Sequence, residues 1–336
     1  MKDQRKAMSR LWGLAILLVM LFFLSFLLGR FPISPKEAAG ILAWRCGLPV
    51  TVSWTDQMAA AVLNIRLPRI LLAMLVGGAL SAAGMTYQNV FQNPMASPDI
   101  LGASSGACFG ATLAILLEIP AVTAMAFACS LATVVMVYFV GRRGRGSRTM
   151  NLLLAGIMVS SLFSAGISCI KLVADPNSKL PEITYWLMGS LSGAAGEDVS
   201  FILLPLLAGL LPLLALRWQL NLLTLGEEEA ASMGVDTKRL RLLVILCATL
   251  LTAASVSVSG MIGWIGLVIP HLSRRLVGND CRYLLPASIL FGALFMLLVD
   301  DISRTLLAIE IPIGILLAFV GAPFFLHLMT RKGGWA

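Results

Sequence analysis

Apolar residues run along this chain in long continuous blocks, separated by prolines, glycines and clusters of charge. The blocks fall near 11–29, 67–90, 98–118, 121–140, 151–173, 199–216, 240–260, 262–277, 284–303 and 312–330. Most approach the ~20 residues that a helix needs to cross a bilayer, so the pattern predicts an all-α integral membrane protein with about ten transmembrane helices. Strands would show short alternating stretches instead, which sets aside an outer-membrane barrel. The block at 262–277 is short and contains Gly263, Gly266 and Pro270, features that in membranes often mark a broken helix lining a cavity.

Composition agrees. Of 336 residues 58% are apolar and 12% charged, with a mean hydropathy of +0.90, whereas a soluble domain carries roughly a quarter charged residues. Soluble enzymes, coiled coils and disordered tails are excluded. The N-terminal MKDQRKAMSR followed by LWGLAILLVMLFFLSFLLG is similar to a signal peptide, but the run is longer than such a segment needs and no small-residue cleavage site closes it. It is expected to remain as the first membrane helix.

The net charge of +8 is not a nucleic-acid signature here, because in a membrane protein the side on which Lys and Arg lie carries the meaning. Ten spans with a cytoplasmic N-terminus put 17 of the 25 basic residues in inside segments, while the outside segments hold the other 8 and ten of the 17 acids. The asymmetry follows the positive-inside rule and predicts both termini in the cytoplasm. The outside segment from Arg30 to Arg66, with Pro32, Pro35, Pro49, Trp44 and Trp54, reads as an interfacial cap. A second outside segment runs from about Ala174 to Asp198.

The inside loop 217–239 is unlike the other inside loops, because it carries the acidic stretch LTLGEEEAASMGVDTKRLR between basic ends. The chain has no GxxxxGK[ST] and no Gly-Lys pair, so it cannot form a P-loop. If ATP drives transport, a separate subunit hydrolyses it. Gly226 to Gly234 suits a docking helix, with glycine at each end for sharp exits; a solvated acidic loop is the alternative.

LTLGEEEAASMGV from Leu223 resembles the ATPase-coupling segment of FecCD-type ABC importer permeases, the family that moves iron-siderophores, haem and cobalamin. Three further blocks agree in order: IRLPRILLAMLVGGALSAAGMTYQNVFQNPMASPDILGASSGA from Ile65, GWIGLVIPHLSRRLVGNDCRYLLPAS from Gly263, and DISRTLLAIEIPIGILLAFVGAPFF from Asp301. The likeness covers nearly all of the chain after the first span. It implies a cobalamin-importer-like (type II) permease fold in the cytoplasmic membrane of a bacterium. It also implies a second copy of the chain or a close homologue, two ATPase subunits inside that bind ATP and Mg, and a substrate-binding protein outside. No cofactor in this chain is implied.

The resemblance assigns residues as well. Gly226, Glu227, Glu228, Ala230 and Gly234 fall in the coupling segment, and Arg66, Arg69 and Arg304 match arginines that receive glutamates of the binding protein. Snorkelling to the headgroups is the alternative for those three, and Asp301, one turn before Arg304, can neutralise it. Asn93, Thr149 and Met150 fall where similar permeases narrow the path, although the sequence departs locally around Thr149 and Met150. Simple packing at helix ends is the alternative for the gate.

Other chemistry is absent from the pattern. Six cysteines show no metal-ligand spacing, His271 and His327 stand apart, and the sixteen methionines are scattered as core filler. A self-contained secondary transporter is the rival reading, but such proteins keep an ionisable residue at mid-membrane, and the spans read as nearly free of charge apart from Asp300 and Asp301 near one outer end. A small oxyanion is the alternative cargo to a metal chelate.

Overall fold

The computed structural model describes residues 2–144, 148–224 and 232–330. Every regular element among them is helical. Seven helices are long and apolar enough to cross a membrane: α1 (Lys2–Ser25), α4 (Leu67–Val90, continuous with the short α3, Asp56–Ala60), α6 (Val122–Arg143), α7 (Arg148–Val173), α9 (Gly196–Ala215), α11 (Thr237–Ser259) and α13 (Cys281–Thr305). Three shorter helices occupy the remaining apolar blocks: α5 (Ala103–Leu116), α12 (Ile265–Val277) and α14 (Ile313–Thr330). The surface helices α2 (Pro35–Arg45) and α8 (Lys179–Leu187) and the inner helix α10 (Gln219–Leu223) complete the set.

Local chemistry sets several of these boundaries. Ser34 and Glu37 form a reciprocal capping box ahead of α2, with Pro35 at its first position. Asp236 and Asp280 accept backbone N–H bonds at the starts of α11 and α13. The first hydrophobic block, expected at 11–29, is helical from Lys2 and stops at Ser25, because its polar N-terminal flank continues the helix.

At the centre stands α4, buried around nearly its whole circumference, as expected of a helix that touches no solvent. It packs against α9, α11, α12 and α13. Close approach is bought with small residues: a Cβ on Gly84 would run into the Gly266 carbonyl of α12, and Gly77 faces Gly292 of α13 in the same way. Backbones this near are the usual means of helix association where lipid removes the hydrophobic driving force. By contrast α14 touches chiefly α12 and α13, and leaves Phe319 76% exposed.

Two stretches at membrane depth are not α-helical. After α4 the chain passes through 91–97 at the inner end, returns to make a single turn at Pro98–Leu101 and begins α5 at Ala103, with Gly102 as its cap. Between α11 and α12, residues 260–264 are irregular, and Trp264 adopts φ +69, a left-handed conformation that is costly for a bulky side chain and commonly kept at working sites. Its ring lies against Gly321 of α14. Non-helical backbone at this depth survives where protein buries it or where it lines an aqueous cavity. The block expected to span 98–118 is therefore a re-entrant turn plus a helix of 14 residues.

Candidate translocation and coupling sites

The end of the bundle that carries Arg66 is called outer here, following the charge asymmetry. There the π-helical turn Ala61–Arg66 and the start of α4 bring Arg66 and Arg69 against the end of α1 and the end of α13. Arg69 Nε donates to both oxygens of Asp300 at 3.0 and 3.1 Å, and its Nη1 to Glu310 at 2.9 Å. Arg304 pairs with Asp301 and donates to the Ser25 carbonyl at 2.8 Å. Ser25 Oγ in turn donates to Asp301 at 2.6 Å. Arg66 donates to the Phe26 and Phe31 carbonyls.

The three arginines thus come together, but they are not exposed to solvent. They are 5%, 5% and 6% exposed. Nor do they snorkel, because their partners are carboxylates and carbonyls of this chain. Burial and pairing arise together: a desolvated guanidinium must be matched by charge and hydrogen bonds, and Asp300, Asp301 and Glu310 supply the charge.

At the inner end Arg274 of α12 donates to Gln88 and, at 3.2 Å, to Asn89 of α4. Asn89 Nδ2 donates to Cys281 Sγ at 3.0 Å, the Cys281 N–H to Asn221 at 2.8 Å, and Asn221 Nδ2 to Asp280 at 3.0 Å. Gln92 Nε2 reaches the Leu223 carbonyl at 3.0 Å. A polar chain therefore connects α4 and α12 with α10, the helix that leads into the acidic loop. Arg282 also binds Asp280, and with the Asp280 cap it holds that carboxyl below the usual carboxylate range.

Of the coupling residues, Gly226, Glu227, Glu228 and Ala230 lie outside the described residues. Gly234 lies within them at φ +80 with open space around it, a turn that a side chain would strain. Of the gate residues, Asn93 is exposed and its amide oxygen accepts from the Met95 N–H at 2.9 Å. Met150, in the first turn of α7, is 55% exposed. Thr149 is in the same helical turn, and its side chain lies outside the described residues.

The structure adds residues that the reading of the chain passed over. Gln88 and Asn89 carry the inner network, Glu310 completes the outer one, and Asp99 and Lys171 contradict the picture of spans charged only at Asp300 and Asp301. The signal for Asp99 was simply an acid within a predicted span. Among the described residues no cluster of His, Cys, Asp and Glu could hold a metal. A recess of about 670 Å³ opens near the outer ends of α5, α6 and α11, lined by Glu182, Tyr185, Trp186, Ser190, Ser192 and Asp198 among others.

Residues 17–331 match the model of the FecCD transport family. The chain belongs to that family. Among its FecCD relatives, the molybdate import system permease protein of Haemophilus influenzae is 40% identical over 328 residues, covering 96% of each chain. The hemin transport system permease protein of Yersinia pestis is 41% identical over 292 residues, 83% of this chain and 86% of that one. A solved structure, described as an inward-facing conformation and assigned to the metal-chelate type of ABC transporter, overlays with a TM-score of 0.85 at 38% identity, covering 96% of this chain and 99% of that one. This FecCD permease is therefore a multi-pass helical membrane protein.

Proposed function

We propose that this chain is the membrane-spanning permease of an ATP-driven importer that takes a metal chelate from a binding protein outside and releases it into the cytoplasm of a bacterium. The observation that carries the reading is the overlay, over nearly the full length of both chains, with an ABC transporter of metal-chelate type. Helices α7 and α14, with Leu154, Ile157, Met158 and Phe319 exposed, supply apolar faces for a second copy of the chain, so that the path runs between copies. ATP and Mg are held by two partner ATPases at the inner end, which meet Gly226, Glu227, Glu228, Ala230 and Gly234, and closure of those partners tilts the spans between outward- and inward-open states.

Docking outside involves the arginine cluster in a modified way. Glu310 already occupies Arg69, and Arg69 Nη2, like Arg304 Nε, is a buried donor without a hydrogen-bond partner. An incoming carboxylate therefore binds that donor or exchanges with Glu310. Asn93, Thr149 and Met150 form the inner constriction.

The test is reconstitution in proteoliposomes with the ATPase and binding protein that accompany the chain. ATP-dependent uptake of haemin or a ferric siderophore is expected, with no hydrolysis by the permease alone. Uptake that proceeds without ATPase subunits would overturn the importer reading, and uptake of molybdate alone would replace the chelate by an oxyanion. Gly234→Val should reduce uptake while membrane insertion persists.

A further inference from the structure

Relatives named for molybdate and for hemin are about equally identical to this chain, so the charge class of the cargo has to be sought in the path itself. The re-entrant turn Pro98–Leu101 is surrounded by α4, α5, α6, α7 and α11. Its depth is marked from two sides. Pro98 lies against Gly266, which also faces the Leu80 carbonyl of α4, and Ile100 and Gly102 lie against Gly156 and Ser160, near the middle of α7. At 1.5 Å per residue Leu80 stands roughly 20 Å from the outer start of α4 and roughly 15 Å from its inner end. The turn is therefore deep in the membrane.

Within it Pro98 and Leu101 are buried, whereas Asp99 between them is exposed. The turn is packed by five helices and Asp99 is the residue it leaves exposed, and at this depth an acid left exposed belongs on water rather than lipid. Ser104 Oγ donates to Asp99 Oδ1, and among the described residues no cation pairs with this carboxylate. Nor does it serve as a cap for α5, whose start at Gly102 has no side-chain cap bond. An ionised group at this depth is expensive and is kept where it does work on an ion or substrate pathway.

We propose that Asp99 is a recognition residue on the translocation path, which accepts the cationic or hydrogen-bond-donating face of the cargo and repels small oxyanions. The proposal rests on the importer reading and adds to it the charge class of what passes. A carboxylate on the path favours a cation over an anion through a Coulomb term that is large where water is confined. It also leaves one oxygen free for a donor group on the ligand.

The test uses the full chain in proteoliposomes, with Cys46, Cys129 and Cys169 replaced by serine and the buried Cys108, Cys247 and Cys281 retained. Ser97→Cys serves as the reporter. Its rates of reaction with a trimethylammonium and a sulfonate methanethiosulfonate are compared in chains carrying Asp99, Asp99→Asn and Asp99→Glu. The cation-to-anion rate ratio is expected to be about tenfold higher with Asp99 than with Asp99→Asn, and Asp99→Glu should retain it. An equal ratio in all three chains would overturn the proposal, as would failure of both reagents to reach either Ser97→Cys or Asp99→Cys. The assay needs neither partner subunits nor cargo, so its failure is distinct from a failure of ATP-driven uptake.

Discussion

At the outer end Arg69 and Arg304 meet three carboxylates and Arg66 two backbone carbonyls, whereas at the inner end Arg274 rests on two neutral amides, those of Gln88 and Asn89. Both arrangements fasten α4 to a neighbouring helix. They differ in what happens when the geometry changes. A guanidinium separated from its carboxylate in a low-dielectric site leaves two uncompensated charges, so the outer cluster has one good arrangement. An amide that loses a guanidinium can turn to another donor or to water at lower cost. The outer ends of α1, α4 and α13 are thus locked together, and the inner ends of α4, α12 and α10, beside the acidic loop, are fastened in a way that permits repacking.

The largest effect expected from breaking this contrast is at Asp300. Asp300→Ala leaves Arg69 and Arg304 short of countercharge and should cost about 3–5 kcal/mol, read as a steep fall in thermal stability of the detergent-purified protein. Replacing Arg69 by Met and Asp300 by Leu together should recover part of that loss, and equal losses in the single and double variants would refute the pairing argument. Arg274→Ala should cost less, about 1–3 kcal/mol, while uncoupling ATP hydrolysis from uptake more than it lowers the melting temperature. A melting loss as great as that of Asp300→Ala would erase the distinction between the two ends.

Asp280→Ala, which removes the cap of α13 and the tie to Asn221, should cost about 1 kcal/mol. Because Arg282 holds the Asp280 carboxyl low, its contribution is present above the ordinary carboxylate value and is lost as pH falls through the lowered one. Asp280→Asn should flatten that acid limb in a melting series, and an unchanged acid limb would show that the carboxylate charge is immaterial. The smallest effect is expected at Glu310, which is 28% exposed. Glu310→Gln should change stability by no more than about 1 kcal/mol, yet alter the affinity for the binding protein if Glu310 competes for Arg69.

Helix placement was largely legible along the chain, because a block of apolar residues of bilayer length has few alternatives in lipid. The helix α2 was not, because the segment from Arg30 to Arg66 read only as an interfacial cap, although its capping box at Ser34 and Glu37 is local. The re-entrant turn was not, because its residues 98–101 fell inside the apolar block near 98–118, which read as one span. Arg66, Arg69 and Arg304 could be singled out as outer cations, yet their burial could not, since Asp300 and Glu310 lie 231 and 241 residues from Arg69. Gln88 and Asn89 gave no signal at all, being ordinary polar residues at the end of an apolar helix.

What the amino-acid sequence alone determined about this protein is its solvent, its helical class and the identity of its apolar spans, because these depend on hydropathy and backbone satisfaction within each segment. Only the tertiary structure decided which charges are buried and which face water. Gly84 and Gly266 let α4 and α12 approach, that approach positions Pro98 beside them, and the turn so placed leaves Asp99 exposed while Arg69 is sealed against Asp300. A side chain's charge is written in the chain, but its partner and dielectric are set by whatever distant segments the packing brings beside it.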